Sequence, residues 1–198
     1  MIPKIIHYCW FGLGPLSETA LKCIESWHRF MPDWEYVLWN EENFDVNSYP
    51  YSQEAYETKK YAFVSDVARL RALKEQGGVY FDVDFEVYKP FDDLLHNDAF
   101  AGFEGSKHHP VMMGVLGSVP QGFWVSRQLE RYENRLFNVG WKAGFDDQCE
   151  ICYGRDDGTG IYTQWTGAGV HGYAYLSGGL LLPKAYHRGV SQDGQYIL

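Results

Sequence analysis

Basic residues are scarce in this sequence: 17 Lys and Arg stand against 26 Asp and Glu, giving a formal net charge of −9. A nucleic-acid or anionic-membrane surface needs clustered Lys and Arg, so neither is expected as a partner. Cysteine is equally sparse. Cys9, Cys23, Cys149 and Cys152 are too few for a disulfide framework in 198 residues, and only the last two have C-x-x-C spacing. A structural zinc would need a second such pair, which is absent. Long apolar runs are missing as well, at the N-terminus (M-I-P-K-I-I-H-Y) and elsewhere, so no integral membrane segment is expected. Neither a repeat nor a low-complexity segment is visible. The expectation is one domain over residues 1–198, cytoplasmic, at most peripheral to the inner face of a membrane through partners.

Aromatic residues are plentiful, with 15 Tyr, 12 Phe and 7 Trp, which suits core packing and stacking on planar or sugar rings alike. The stretch that organises the rest is Gly77 to Tyr88, G-G-V-Y-F-D-V-D-F-E-V-Y. Its period of two predicts one extended strand, with Val79, Phe81, Val83, Phe85 and Val87 on one face and Tyr80, Asp82, Asp84, Glu86 and Tyr88 on the other. Residues two apart on a strand lie roughly 6.6 Å apart, so the carboxylates of Asp82 and Asp84 can lean toward one point. At about 5 Å and an effective dielectric of about 20 they repel by about 3 kcal/mol unless a cation lies between them. Hard oxygen donors without His or Cys point to Mg2+ or Mn2+, with coordination left for water and phosphate oxygens. The plain alternative is a strand ending in solvent.

Ile5 to Phe11 reads as a buried first strand, ended by Gly12, Gly14 and Pro15. Trp10 lies at its carboxyl end, where ligands of open α/β sheets gather, and can serve as a platform for a base or pack in the core. Ser17 caps a helix to about Phe30, stopped by Pro32, and Glu35 to Trp39 forms the next strand. Gln53 to Lys60 reads as a short helix. Tyr61 to Gln76 is a strong helix closed by Gly77. On it Asp66 and Arg69 share a face, either as a surface ion pair or as a polar pair aimed at a sugar. Strands are expected at Phe100–Glu104, Val111–Gly117 and Leu180–Pro183, and a helix over Phe123–Phe137 with Trp124, Leu129, Tyr132 and Leu136 apolar. His108 and His109 fall in a turn. A Gly- and Asp-rich loop follows from Gly140 to Gly160, and T-G-A-G at Thr166–Gly169 can open a helix over His171–Leu176 and offer amides to an anion. His187, Ser191 and Asp193 in the tail can close over the site.

Three segments, I-H-Y-C-W at Ile6–Trp10, S-D-V-A-R at Ser65–Arg69 and G-G-V-Y-F-D-V-D at Gly77–Asp84, resemble glycosyltransferase family 32 and the catalytic core of the clostridial glucosylating toxins. The resemblance implies a GT-A-like α/β fold with a central mixed, mostly parallel sheet flanked by helices. It also implies a nucleotide-sugar donor, UDP- before GDP-, a divalent metal and retaining transfer to a glycan acceptor such as a capsular or lipopolysaccharide chain. By position Trp10 would stack on the base, Asp66 and Arg69 would hold the sugar, Tyr80 and Asp82 would contact ribose or sugar, and Asp84, with Asp82 and His187, would hold the metal. Asp66 and Glu104 are the carboxylates nominated near the anomeric carbon. Family members continue into a C-terminal His or Ser-Trp segment that this sequence does not show, which keeps a non-catalytic nucleotide-sugar-binding module as the rival reading. A haloacid-dehalogenase phosphatase also uses D-x-D, but wants Thr or Val two positions after the second Asp, where Glu86 stands.

Overall fold

The computed structural model of the chain describes residues 1–103, 111–137, 180–182, 187–190 and 196–197. In chain order these form β1 (Ile5–Cys9), α1 (Glu18–Phe30), β2 (Glu35–Trp39), α2 (Pro50–Glu57), α3 (Tyr61–Gln76), β3 (Gly78–Phe81), β4 (Phe85–Val87), β5 (Ala99–Phe103) and β6 (Val111–Ser118). They continue with α4 (Phe123–Glu130), β7 (Leu180–Leu182), β8 (His187–Val190) and β9 (Tyr196–Ile197). Six strands make one sheet in the order β2-β1-β3-β6-β5-β7, and β4, β8 and β9 make a second, smaller one. In the large sheet β1 runs parallel to both β2 and β3, and β5 parallel to β7, while β6 is antiparallel to both its neighbours. This is the mixed, mostly parallel sheet expected from the sequence.

Alternation along the strands sends side chains into two cores, one on each face. Tyr80 and Leu116 join Cys9 and Trp39 beneath α2, α3 and α4. Val79, Phe81 and Val115 join Ile6 and the α1 residues Cys23 and Trp27 on the opposite face. α3 is buried nearly all round, from Val64 to Leu73, which explains its weak amphipathicity. Ser17 caps α1 by accepting from the Ala20 amide, as its position before the apolar spacing predicts. Among the described residues no helix is long and apolar enough to cross a membrane.

Three expectations change. The strand foreseen from Gly77 to Tyr88 is broken: β3 ends at Phe81, Asp82 to Asp84 form a turn closed by the Phe85 amide donating to the Asp82 carbonyl (3.2 Å), and β4 belongs to the second sheet. Period two persists across the break because Phe81, Phe85 and Val87 reach the same core. The helix expected over Phe123–Phe137 stops at Glu130. Beyond it the amides of Arg131, Tyr132 and Glu133 bond three residues back rather than four, a tightening that delivers the Tyr132 ring edge-on to Tyr51 and leaves Leu136 exposed. The short helix expected from Gln53 begins at Pro50, where proline suits a first helical turn. Glu104, His108, His109, Cys149, Cys152, Thr166–Gly169, the helix over 171–176, Ser191 and Asp193 lie outside the described residues.

Candidate active site

From β1 the chain crosses by α1 to β2 on one side, then by α2 and α3 to β3 on the other, with α1 and α3 on opposite faces of the sheet. The winding therefore reverses between the carboxyl ends of β1 and β3, the place where open α/β sheets characteristically form a crevice for ligands. Trp10 follows the last residue of β1, and Asp82 the last residue of β3. The first nine residues of α3 include Ser65, Asp66 and Arg69, and Arg69 reaches Asp82 from there.

The side chains meet around Arg69. Its Nη2 lies 3.0 Å from Asp66 Oδ1 and 3.5 Å from Asp82 Oδ1, its Nε donates to the Ser65 carbonyl at 3.2 Å, and its guanidinium sits 4.7 Å from the centre of the Tyr80 ring. Tyr80 in turn donates its hydroxyl to Asp82 Oδ1 at 2.7 Å. Asp66 and Arg69 are each only 5% exposed, so the surface ion pair that their three-residue spacing permitted is instead a buried, shared one. Burial works against the Arg69 charge, but Asp82, Tyr80, Asp66 and Cys9 surround it and hold it protonated above the usual arginine value. Asp66 gains less than it loses: burial, aided by Asp82, outweighs the attraction of Arg69 and lifts its carboxyl to about 7. Tyr80 is pushed upward chiefly by burial and stays a donor.

Asp84 stands apart from this cluster. Its surface is exposed at the rim of the turn, yet the protein around it and the charge of Asp82 raise it to about 6, a rise that its open side screens in part. Two carboxylates at the crevice mouth are the donor set a hard divalent cation takes, and the raised Asp84 is a charge awaiting compensation. Among the described residues no three His, Cys, Asp or Glu side chains converge into a metal cage. The residues present thus fit a cation whose shell is completed by phosphate oxygens and water, as Mg2+ and Mn2+ accept. The backbone of His187 pairs with Val87 at the start of β8, so the tail returns beside the strand that leaves Asp84.

Several residues that hold this geometry carry no sequence signal. Trp27, fully buried on α1, donates its indole N–H to the Phe85 carbonyl at 2.7 Å. One residue earlier, Ser26 Oγ accepts from the Val87 amide at 2.9 Å and donates to the Cys23 carbonyl at 2.6 Å. The bonds to Phe85 and Val87 pin the strand that follows the D-x-D turn. His7 does the same for the strand before it. Its Nδ1 accepts from the Trp39 indole at 3.0 Å, so Nε2 carries the proton and donates to the Gly77 carbonyl at 2.8 Å. Burial lowers His7 to about 4 and keeps it neutral. Gly77 and Gly78 have φ of 67° and 100°, and a Cβ on either would meet backbone within 2.7 Å. A contact such as that of His7 with Gly77, 70 residues apart, has no local pattern to betray it.

The strand order, with its switch point between β1 and β3, is that of a GT-A-like fold. Residues 17–101 match the family of glycosyltransferase sugar-binding regions containing a DXD motif. That stretch is accordingly a DXD-type sugar-binding region. The chain is similar to inositol phosphoceramide mannosyltransferase 3 of Schizosaccharomyces pombe, 31% identical over 137 residues that cover 61% of this chain and 38% of that protein. It is also similar to glucan organizing enzyme 1 of Cryptococcus neoformans, 36% identical over 164 residues covering 67% of this chain and 44% of that one. The chain thus spans less than half the length of these curated relatives. Among solved structures, PaToxG glycosyltransferase shares the fold with a TM-score of 0.56 at 18% identity, over 65% of this chain and 59% of that one.

Proposed function

We propose that the protein is a metal-dependent, retaining glycosyltransferase that moves a hexosyl group from a nucleotide-sugar donor to a polyol hydroxyl. The observation that carries this is the convergence of Asp66, Arg69, Tyr80 and Asp82 beneath the carboxyl ends of β1 and β3, with Trp10 and Asp84 at its edges. The name of the Schizosaccharomyces pombe relative speaks for mannosyl as the sugar. The same name speaks for an acceptor that bears an inositol, and a hydroxyl on a saturated ring is what such a headgroup shares with the capsular or lipopolysaccharide chain expected from sequence.

In the reaction the bond between the anomeric carbon and the diphosphate oxygen breaks, its electron pair leaves with the nucleoside diphosphate, and the acceptor oxygen bonds to that carbon as its proton passes to the released diphosphate or to solvent water. A divalent cation held by Asp84 and Asp82 would supply neutralisation of the growing negative charge on the diphosphate. Trp10 offers its ring to the base, because its indole N–H is already committed to the Gly14 carbonyl at 2.8 Å and its faces remain for stacking. Arg69 is held from three sides, so it presents guanidinium hydrogens to sugar or phosphate oxygens with little further loss of entropy. Asp66, poised to about 7, accepts from sugar hydroxyls when ionised and lies where positive charge grows on the ring. Held by Tyr80 and Arg69, Asp82 keeps one oxygen, Oδ2, toward Gly114 and the turn.

A binding module without turnover would share every one of these contacts. Donor hydrolysis measured over a panel of UDP- and GDP-sugars with Mn2+ separates the two. Turnover that disappears in EDTA supports the transferase; tight binding with no hydrolysis and no transfer to polyol acceptors supports the module.

A further inference from the structure

Beyond Trp10 the chain makes an unusual loop, Phe11 to Pro15, in which Gly12 and Leu13 have φ of 102° and 60°. A positive φ is unfavourable for a leucine, so something must hold the loop there. That something is Glu41. Its Oε1 accepts from the Gly12 amide at 2.6 Å and from the Tyr56 hydroxyl at 2.9 Å. Burial alone would raise its carboxyl, but bonds from the Gly12, Glu41 and Leu13 amides and from Tyr56 outweigh this and hold it below the ordinary range. Glu41 is itself fixed by a closed turn after β2: the Asn40 amide donates to Asn43 Oδ1, the Glu42 amide to Asn40 Oδ1, and Asn43 Nδ2 to the Leu38 carbonyl, all at 2.7 to 2.9 Å. On its other side the loop lies on Tyr61, whose ring a Cβ at Gly12 would meet at 2.5 Å.

The loop and the turn are thus locked together on both sides of Trp10. Its amide donates to the Trp39 carbonyl at 2.9 Å, extending the β1–β2 ladder by one bond, and its indole donates to the Gly14 carbonyl within the loop that Glu41 grips. We propose that Glu41 is a positioning residue for the nucleotide: with Tyr56 it sets the Phe11–Pro15 loop, and through it the plane of the Trp10 ring on which the base stacks. The inference rests on Trp10 being the base platform proposed above.

The test compares affinities for a nucleoside diphosphate, UDP or GDP as the wild type prefers, and for inorganic diphosphate, both with Mn2+, by calorimetry. Trp10→Ala, Glu41→Ala, Glu41→Gln and the Trp10→Ala/Glu41→Ala double variant are measured alongside the wild type. Glu41→Ala is expected to weaken the nucleotide about tenfold, as Trp10→Ala does, and to leave inorganic diphosphate unchanged. In the double variant the nucleotide binds no more weakly than to Trp10→Ala alone, because one residue acts through the other. Glu41→Gln, which keeps an acceptor oxygen, recovers most of the loss; Tyr56→Phe, which removes the hydroxyl that donates to Glu41, stands in if the alanine variant does not fold and is expected to weaken the nucleotide but not inorganic diphosphate. Additive losses, or equal losses for both ligands, overturn the positioning role while leaving the platform intact. A wild type that binds inorganic diphosphate as tightly as the nucleotide overturns the platform reading, and the proposal with it.

Discussion

Asp66→Asn isolates a costly buried charge. Burial lifts the Asp66 carboxyl from 3.8 to about 7, so between these values the folded state holds a proton that the unfolded chain has lost, and stability falls as pH rises through the window. A carboxyl raised that far costs the ionised native state about 4 kcal/mol at pH 8, of which about 3 kcal/mol accrues between pH 5 and 8. Asparagine keeps an oxygen for Arg69 Nη2 and removes the charge, while Asp82 remains to pair with the guanidinium. His7 obscures this in the wild type alone: lowered from 6.5 to about 4, it makes stability rise with pH between those values. The difference between variant and wild type cancels that contribution. Urea unfolding at pH 5, 6.5 and 8 is expected to show Asp66→Asn gaining on the wild type by about 3 kcal/mol across the series, with sugar transfer abolished throughout. A difference that stays constant with pH, or narrows toward pH 8, would refute the claim that Asp66 is a strained buried anion.

Other substitutions test the supports. Asp84→Asn is expected to lower Mn2+-dependent nucleotide affinity at least tenfold with the melting temperature unchanged or raised, since an uncompensated carboxylate is removed; calorimetry in Mn2+ and in EDTA checks this. His7→Leu leaves the Gly77 carbonyl and the Trp39 indole N–H without their partner in the interior, a loss of about 2–5 kcal/mol in denaturant unfolding at pH 7. Gly114→Ala would place a Cβ 2.9 Å from Asp82 Oδ2 and against the Phe85 ring. It should cost about 1–3 kcal/mol in denaturant unfolding and weaken Mn2+-dependent nucleotide binding measured by calorimetry.

Much of the frame could be read from local chemistry. β2 runs over Glu35–Trp39 and α3 over Tyr61–Gln76, the spans that composition and the Gly77 stop predicted, because strand alternation and helix termination are written in adjacent residues. Asp66 and Arg69 share a face for the same reason. What adjacent residues do not write is burial. The three-residue spacing was equally consistent with an exposed pair, and only the packing of α3 against β3 buries both and sets the Arg69 guanidinium against the Tyr80 ring. The break at Asp82–Asp84 was hidden because a turn that preserves inward and outward alternation leaves the sequence period intact; its cause lies in Trp27 and Ser26, some sixty residues earlier. Glu41 is invisible for a related reason, since its partners at Gly12 and Tyr56 are brought together by the sheet.

The most direct trial of the account is titration of nucleotide sugars into the wild-type protein with Mn2+ and again in EDTA. Saturable binding of at least one UDP- or GDP-sugar that requires the metal, and that Asp84→Asn abolishes, is the expected result. Binding of equal strength without the metal, or none across the panel with it present, contradicts the assignment of the carboxylates to a diphosphate-bearing cation.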